Sequence, residues 1–456
     1  NSKEAASGTL FICKGAHFKA DYLTDAARRG AFAYVSEVLY PGVGLPCILV
    51  KDIRQVMAPL AVKYYNDPSQ RLKVVGITGT KGKSSTAYYL KYILDEYLAS
   101  KGQTCGIISS IDTWDGVERF ESHLTTPEPL ELQKHFAHAL ASGMGYLVME
   151  VSSQALKYHR TVGTRFAAAA YLNIGTDHIS PIEHPDFEDY FQSKLKIFSQ
   201  ADLSCVNLDC EHGAQALSAA QNACPAVLTF SRQNPSASVY GYDMRKVGEE
   251  LLFQVDAAQL SGQYKLTMPG LFNVDNALAA TALCRGLGIP LEAVRTGLAK
   301  ARVPGRMEVY SNALGNITAI VDYAHNRMSF EALFRSVKQE YPGRRIVTVF
   351  GCPGKKAFDR RRDLGEVAGQ NSDLVVLTEE DSGEEDTLSI CKEIASHVAC
   401  VCEIQPNRGE AIRQAVLSCD QPSVILITGK GAETRQKRGL DYIDTPSDVE
   451  YALAFL

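Results

Sequence analysis

The sequence contains no apolar run approaching the ~20 residues that a bilayer-spanning helix needs. It also has no basic-then-apolar leader. Membrane insertion and export are therefore not expected, and the chain reads as a cytoplasmic protein. Among its 12 cysteines there is no Cys-x-x-Cys pair, and Cys400-Val401-Cys402 lacks a second ligand pair at zinc spacing. Cys13, Cys47, Cys105, Cys205 and Cys284 sit inside apolar runs, where a reducing compartment leaves them as small core hydrophobes. An excess of one charge is missing too: a formal net charge of −5 is too small, and of the wrong sign, for a generic nucleic-acid binder. The loop Gly351-Cys352-Pro353-Gly354 lacks the Gly-x-Gly-x-x-Gly spacing of a dinucleotide turn.

What is present is the composition of an ordinary globular protein, 45% apolar and 22% charged. Its 456 residues exceed one hydrophobic core. At roughly 100–200 residues per domain, about three domains are expected. Short strand-like runs (Thr9 to Cys13, Phe32 to Val35, Cys47 to Val50) alternate with helical stretches over residues 1–67, a small α/β unit ending at the turn cluster Asn66-Asp67-Pro68-Ser69. Residues 68–302 alternate apolar strands with helices, which predicts a largely parallel, doubly wound sheet, with a strand-rich stretch at 225–267. Val303-Pro304-Gly305 marks the next boundary, and 303–456 reads as a second, Rossmann-like doubly wound unit. The chain opens at Asn1 rather than methionine, as a chain without its first residues would.

The stretch from Val74 to Thr86 carries the strongest chemistry. An apolar strand (Leu72 to Ile77) enters Gly79-Thr80-Lys81-Gly82-Lys83-Ser84-Ser85, followed by a helical pattern from Thr86 to Leu98. Bare backbone N–H groups and a helix N-terminus suit phosphate oxygens, with Lys83 facing the β- and γ-phosphates and Ser84 offering a hydroxyl to Mg²⁺. The strict phosphate-loop pattern fails, because Ile77 occupies its first glycine position. An ordinary glycine-rich turn is the alternative.

Ligands of such sheets gather at the carboxyl ends of the strands. Glu150 ends the strand Tyr146 to Met149, as a Mg²⁺ partner or a solvated strand end. His178 follows the strand ending near Ile174, as a metal ligand or a loop histidine. Lys194 and Lys196 lie on the helical stretch Phe187 to Phe198, where lysines are usually solvated. Asn273 and Asn276 precede the helix Ala277 to Leu287, as caps or as amides facing a base.

In their order along the chain, Gly79 to Ser84, His123-Leu124-Thr125-Thr126-Pro127-Glu128, Met149 to Leu156, Asp177-His178, Gly305-Arg306-Met307-Glu308, Asp322-Tyr323-Ala324-His325 and Gly429-Lys430-Gly431-Ala432-Glu433 resemble the Mur ligase family, ATP-dependent amino-acid ligases of peptidoglycan synthesis, over the whole chain. The Thr-Thr-Pro and Glu-Val-Ser-Ser blocks resemble the branch that adds the third stem residue to UDP-MurNAc-L-Ala-D-Glu. Gln154, Lys157-Tyr158-His159-Arg160 and Ile182-Glu183-His184-Pro185 resemble its lysine-adding members.

The resemblance implies ATP and Mg²⁺ as cofactors, and UDP-MurNAc-L-Ala-D-Glu and L-lysine as substrates of a monomer that binds no nucleic acid. It implies that Lys83, Glu150, His178 and Lys194 are catalytic; that Ser84, Glu150, His178 and a carbamylated Lys194 hold metal; and that Gly79, Thr80, Lys81, Gly82, Lys83, Ser84, Ser85, Asn273, Asn276, Arg306, Asp322 and Arg361 bind ATP. Ser2, Lys14, Thr125, Thr126, Ser152 and Arg160 are implied for the UDP-MurNAc-dipeptide, and Glu380, Asp381, Gly383 and Glu433 for the amino acid. Diaminopimelate-adding members carry Asp-Asn-Pro-Arg where this chain has Glu380-Asp381-Ser382-Gly383, so the arginine that would receive a distal carboxylate is absent. Lysine is expected first, with ornithine and diaminopimelate as alternatives. A folylpolyglutamate synthase-like ligase and a silent nucleotide-binding scaffold are the more distant ones.

Overall fold

The computed structural model describes residues 1–15, 18–175, 179, 183–248 and 250–456. His178 lies outside them.

The N-terminal part forms a three-stranded parallel sheet, β1 (Thr9–Ile12), β2 (Ala31–Ser36) and β3 (Cys47–Leu49), with α1 (Ala20–Arg28) and α2 (Ile53–Tyr64). Leu23, Ala26 and Tyr34 close its small core. The sheet is apolar where it meets its helices, and α2 packs on toward the next unit.

The central unit runs β4 (Lys73–Thr78), α3 (Lys83–Ala99), β5 (Gly106–Ile108), β6 (Asp112–Trp114), β7 (Arg119–Glu121), α4 (Pro129–Ala141), β8 (Tyr146–Glu150), α5 (Ser153–Lys157), β9 (Phe166–Tyr171), α6 (Phe187–Leu195), β10 (Leu203–Asn207), α7 (Gly213–Ala223), β11 (Ala226–Ser231), β12 (Val239–Val247), β13 (Glu250–Asp256), β14 (Gly262–Leu266), α8 (Asn273–Leu287) and α9 (Leu291–Lys300). Its 11 strands lie in the order β14-β13-β12-β11-β10-β9-β4-β8-β5-β6-β7. The inner strands are parallel, and both edges are antiparallel. The residue pattern explains the division: β4 and β8 are buried on both faces and read as continuous apolar runs, whereas β13 alternates buried and half-buried positions because one face meets water. The expected doubly wound sheet is thus the middle of a wider mixed one.

The third unit runs β15 (Glu308–Ser311), β16 (Ile317–Asp322), α10 (Arg327–Glu340), β17 (Arg345–Phe350), α11 (Asp359–Asn371), β18 (Leu374–Leu377), α12 (Thr387–Ala395), β19 (Val401–Ile404), α13 (Arg408–Leu417), β20 (Ser423–Thr428), β21 (Arg435–Arg438), β22 (Asp441–Asp444) and α14 (Asp448–Phe455). Six strands form the order β15-β16-β20-β17-β18-β19, parallel apart from β15, and β21 and β22 make a separate hairpin.

Two differences from the sequence reading bear on the site. The helix after the phosphate loop begins at Lys83, one turn earlier than its apolar pattern, because Lys83, Ser84 and Ser85 serve as its first turn. Helix α8 begins at Asn273, so Asn273 and Asn276 are inside the helix rather than capping it.

Candidate functional site

Strand β4 delivers the loop 79–82 to the N-terminus of α3. Gly82 has φ +82°, and a Cβ there would lie 2.2 Å from Asn276 Oδ1, so both the backbone and the neighbour require glycine. Asn276 thereby holds the loop from α8; its Nδ2 donates to Asn273 Oδ1 at 3.0 Å, and Asn273 Nδ2 donates to the Pro269 carbonyl at 2.6 Å. On the other side Asn173 clamps the loop. Its Oδ1 accepts from the backbone N–H of Thr80 at 3.0 Å and of Lys81 at 2.9 Å, and its Nδ2 donates to the Lys81 carbonyl at 3.1 Å.

Lys83 Nζ donates to the carbonyls of Gly79 at 2.9 Å and Thr80 at 3.2 Å. Lys194, from α6, donates to the same Gly79 carbonyl at 3.0 Å and lies 4.5 Å from the centroid of the Tyr190 ring. Tyr190 OH is 3.0 Å from Thr80 Oγ1, which accepts the Gly175 N–H. Lys194 is therefore a buried member of the phosphate-loop cluster, not a solvated helix lysine.

Ser84 Oγ is 3.2 Å from Ser110 Oγ, and the Ser110 N–H donates to Glu150 Oε1 at 2.8 Å. Ser84 and Glu150 thus meet through Ser110, a small residue after β5 that the sequence did not single out. Buried Ser85 completes the turn. Ser84 and Glu150 present hard oxygen donors, the chemistry Mg²⁺ prefers, and the donor set fits the ion.

Glu150 also faces the second region, since its carbonyl accepts from Thr126 Oγ1 at 2.9 Å. Thr126 Oγ1 in turn accepts the Ser152 N–H at 3.0 Å, and Ser152 Oγ caps α5 by accepting from Ala155 N–H. Arg160 donates to the Thr126 carbonyl at 3.1 Å and pairs with Glu128 at 2.9 Å, while Lys14 takes the other Glu128 oxygen at 2.5 Å. Lys14, Glu128 and Arg160, with Gly15, Arg54, Met57, Pro129 and Tyr158, line a cleft of about 230 Å³ between the N-terminal and central units. Thr125, next to Thr126 in the chain, is half-buried. Ser2 lies apart: its hydroxyl bonds the Asp25 carboxylate on α1.

Gln154, Lys157, Glu183 and His184 also come together. Gln154 donates to Glu183 at 3.1 Å, Lys157 reaches the Glu183 carbonyl at 3.0 Å and Asp189 at 2.7 Å, and His184 bridges Asp189 at 2.6 Å and Ser153 at 2.9 Å.

The third unit leans on the loop. Lys81 Nζ is 3.4 Å from His325 Nε2, and a Cβ on Gly175 would lie 1.9 Å from Met328 Cε. Arg435 reaches His123 at 3.0 Å. Buried Asp322 accepts the N–H groups of Met307 at 2.9 Å and Ala324 at 2.7 Å. Burial raises its carboxyl above the usual range, against the pull of Arg306, which stacks 4.2 Å from the Tyr323 ring centroid. Arg361 turns elsewhere: its guanidinium is bidentate to Glu385 at 2.8 and 2.7 Å and bonds Glu393 at 2.6 Å.

The acidic loop at 379–386 is mostly neutralised from within. Glu379 pairs with Arg438 at 2.7 Å, Asp381 with Lys430 at 2.9 Å, Glu384 with Lys355 at 2.8 Å and Glu385 with Arg361, and Asp386 caps α12. Glu433 bonds Lys430 at 2.6 Å and Tyr323 OH at 2.8 Å. Gly383, at φ +59°, continues into the β21–β22 hairpin through Lys437 and Gly439, with nothing nearer than 3.7 Å to a Cβ position. Glu380 is the exception. Buried, and without an ion pair among the described residues, its carboxyl is pushed up to about 7 by desolvation despite Arg408, Arg360 and Lys430 nearby. Of the six acids of this loop, one carboxyl is thus left with neither an ion pair nor a helix to cap among the described residues.

A glycine-rich strand-to-helix loop held by half-buried Lys83 and buried Lys194, with a cleft on one side and a second α/β unit on the other, is the arrangement expected of an ATP-dependent ligase. The Mur ligase middle domain matches residues 77–284, and the Mur ligase glutamate ligase domain matches 305–431. The chain is 39% identical over its whole length to "UDP-N-acetylmuramoyl-L-alanyl-D-glutamate--L-lysine ligase" of Enterococcus faecalis, covering 90% of that protein. It is 38% identical over 96% of its length to the ligase of the same name from Streptococcus pyogenes, covering 88% of it. The fold is similar to a solved UDP-N-acetylmuramoyl-L-alanyl-D-glutamate--2,6-diaminopimelate ligase (TM-score 0.68, 24% identity, 100% of this chain and 93% of that one). It is also similar to MurF ligase from Thermotoga maritima in complex with ADP (TM-score 0.68, 18% identity, 100% and 95%). This chain belongs to the Mur ligase family.

Proposed function

We propose that this enzyme joins L-lysine to the D-Glu side-chain carboxylate of UDP-MurNAc-L-Ala-D-Glu at the expense of ATP, in cytoplasmic peptidoglycan precursor synthesis, as a monomer of three domains (1–67, 68–302 and 303–456). The observation that carries this reading is the double engagement of Glu150. Its carboxylate joins Ser110 beside Ser84, and its carbonyl receives Thr126, whose own carbonyl holds the cleft-lining Arg160, so nucleotide and carboxylate acceptor would meet at one residue. The lysine ligases to which the chain is 38–39% identical support lysine as the amino acid.

Phosphates of ATP would take the backbone N–H groups of the loop, and Lys83 would exchange its loop carbonyls for β- and γ-phosphate oxygens. Asn273, Asn276, Arg306 and Asp322 would approach the nucleoside. Arg361 would reach it only by leaving Glu385. Mg²⁺, when bound by Ser84 and Glu150 with His178 and a carbamylated Lys194, would neutralise charge on the phosphoryl oxygens. Lys14, Thr125, Thr126, Ser152 and Arg160 would orient the dipeptide carboxylate, and Ser2 would lie toward the uridine end. The D-Glu carboxylate oxygen attacks the γ-phosphorus, the bond to the bridging oxygen breaks, and ADP leaves an acyl phosphate. The lysine α-amine then attacks the acyl carbon, inorganic phosphate departs, and the amine loses its proton. Lys83 stabilises charge in the first step, and no protein nucleophile takes part.

Glu380 would receive an ammonium of lysine, with Asp381, Gly383 and Glu433 shaping the pocket. Half-ionised near neutral pH, it becomes fully charged when a cation arrives, whereas a distal carboxylate would meet a buried acid. ATP-dependent ADP release tests the reading: it should require both UDP-MurNAc-L-Ala-D-Glu and lysine. Release with a folate substrate instead, or with neither, would overturn it.

A further inference from the structure

At the far end of the β6–β7 hairpin, away from the phosphate loop, four ligating groups converge: Asp115 and Glu118 from the turn, and His135 and His138 from α4. One ligand atom from each lies within 4.8 Å of all the others. Asp115 is fully buried, and its Oδ2 sits 2.7 Å from His135 Nδ1 and 2.9 Å from His138 Nδ1. Its Oδ1 accepts the N–H groups of Val117 at 2.9 Å and Glu118 at 2.7 Å, which fixes the carboxylate plane. The turn cannot back away easily, because Gly116, at φ +90°, brings its backbone so close to α4's end that a Cβ would lie 2.5 Å from Ser142. His135 and His138 are three residues apart on one helix face, the spacing that lets two imidazoles share one ion.

We infer that Asp115, Glu118, His135 and His138 form a binding site for a borderline divalent cation of the zinc class, separate from the nucleotide's metal. Two imidazole nitrogens favour Zn²⁺ over Mg²⁺, which takes oxygen donors. The ion replaces the two Nδ1 protons that now bridge to Asp115. Glu118 is the loosest ligand, since it also pairs with Lys134 at 3.1 Å. Asp115, His135 and His138 are then the three firm ligands, with Glu118 or water fourth. The consequence reaches the substrate cleft: β7 ends at Glu121 and α4 starts at Pro129, so the ion staples together the two flanks of the loop that carries Thr125, Thr126 and Glu128.

The test uses the full-length protein, stripped with chelator and titrated with Zn²⁺ by calorimetry and with Co²⁺ by visible absorption. One equivalent should bind, the Co²⁺ spectrum should show nitrogen and oxygen ligation without a thiolate charge-transfer band, and Zn²⁺ should raise the melting temperature. Asp115→Asn and His138→Gln should each weaken Zn²⁺ at least ~100-fold, and Glu118→Gln less. His138→Gln, at a half-exposed position, should retain the native circular dichroism spectrum. No stoichiometric binding, a thiolate band, or affinity unchanged in folded His138→Gln overturns the site.

Discussion

Lys194 Nζ donates to the Gly79 carbonyl at 3.0 Å from a side chain only 2% exposed, so helix α6 reaches the first residue of the phosphate loop. A buried ammonium there costs desolvation that a surface lysine would not. Carbamylation would turn it into an anion at the first residue of the loop, able to join Ser84 and Glu150 in holding a metal ion. Lys194→Ala is therefore expected to abolish turnover, with partial recovery on adding acetate or formate. Full unsupplemented activity, measured as ADP release, would remove the carbamate from the account.

Lys83 spans two loop carbonyls without entering a core. Lys83→Ala should lower kcat/KM by at least ~100-fold while shifting the melting temperature only slightly, because the lost charge acts on the phosphoryl transition state. Wild-type turnover in the variant would refute the phosphate site.

The third unit touches the loop through Lys81 and His325 and through Gly175 and Met328. Small-angle scattering with an ATP analogue and both substrates should match this arrangement, and the ligand-free protein should be more expanded. A liganded protein that stayed more expanded than this arrangement would show that another contact does the work.

Glu380 links pH to both stability and lysine binding. Its carboxyl is raised from an ordinary 4.5 to about 7 by burial. A raised acid stabilises the fold fully below its unfolded value and loses that contribution as pH rises through the folded one, by up to roughly 3 kcal/mol between pH 4.5 and 7.5. Glu380→Gln should flatten this part of the stability curve. Lysine needs the ionised form, so the KM for lysine should fall as pH rises through 7 in the wild type and lose that dependence in the variant. Parallel pH profiles for both proteins would contradict the role.

Local patterns were legible in the sequence, and tertiary partners were not. Apolar runs placed β4 and β8 to within a residue or two, because strands buried on both faces leave unbroken signatures. The hairpins at 112–121 and 435–444 left none: β7, β21 and β22 are short and polar, and β7 and β22 are exposed throughout. Asn173, Ser110 and Tyr190 are ordinary residue types whose importance arises only when β9, β5 and α6 converge on the loop. An asparagine two residues beyond a buried strand that flanks a phosphate loop is the signal that would have pointed to Asn173. The pairing of the acids at 379–386 is invisible in the sequence because Arg438, Lys430, Lys355 and Arg361 come from other elements.

The central claim is tested most directly by the mass of the product formed from ATP, UDP-MurNAc-L-Ala-D-Glu and an equimolar mixture of L-lysine, L-ornithine and meso-diaminopimelate. The account predicts the lysine adduct as the main product, ornithine a minor second, and no product without ATP. A predominant diaminopimelate adduct, or no adduct at all, would contradict it.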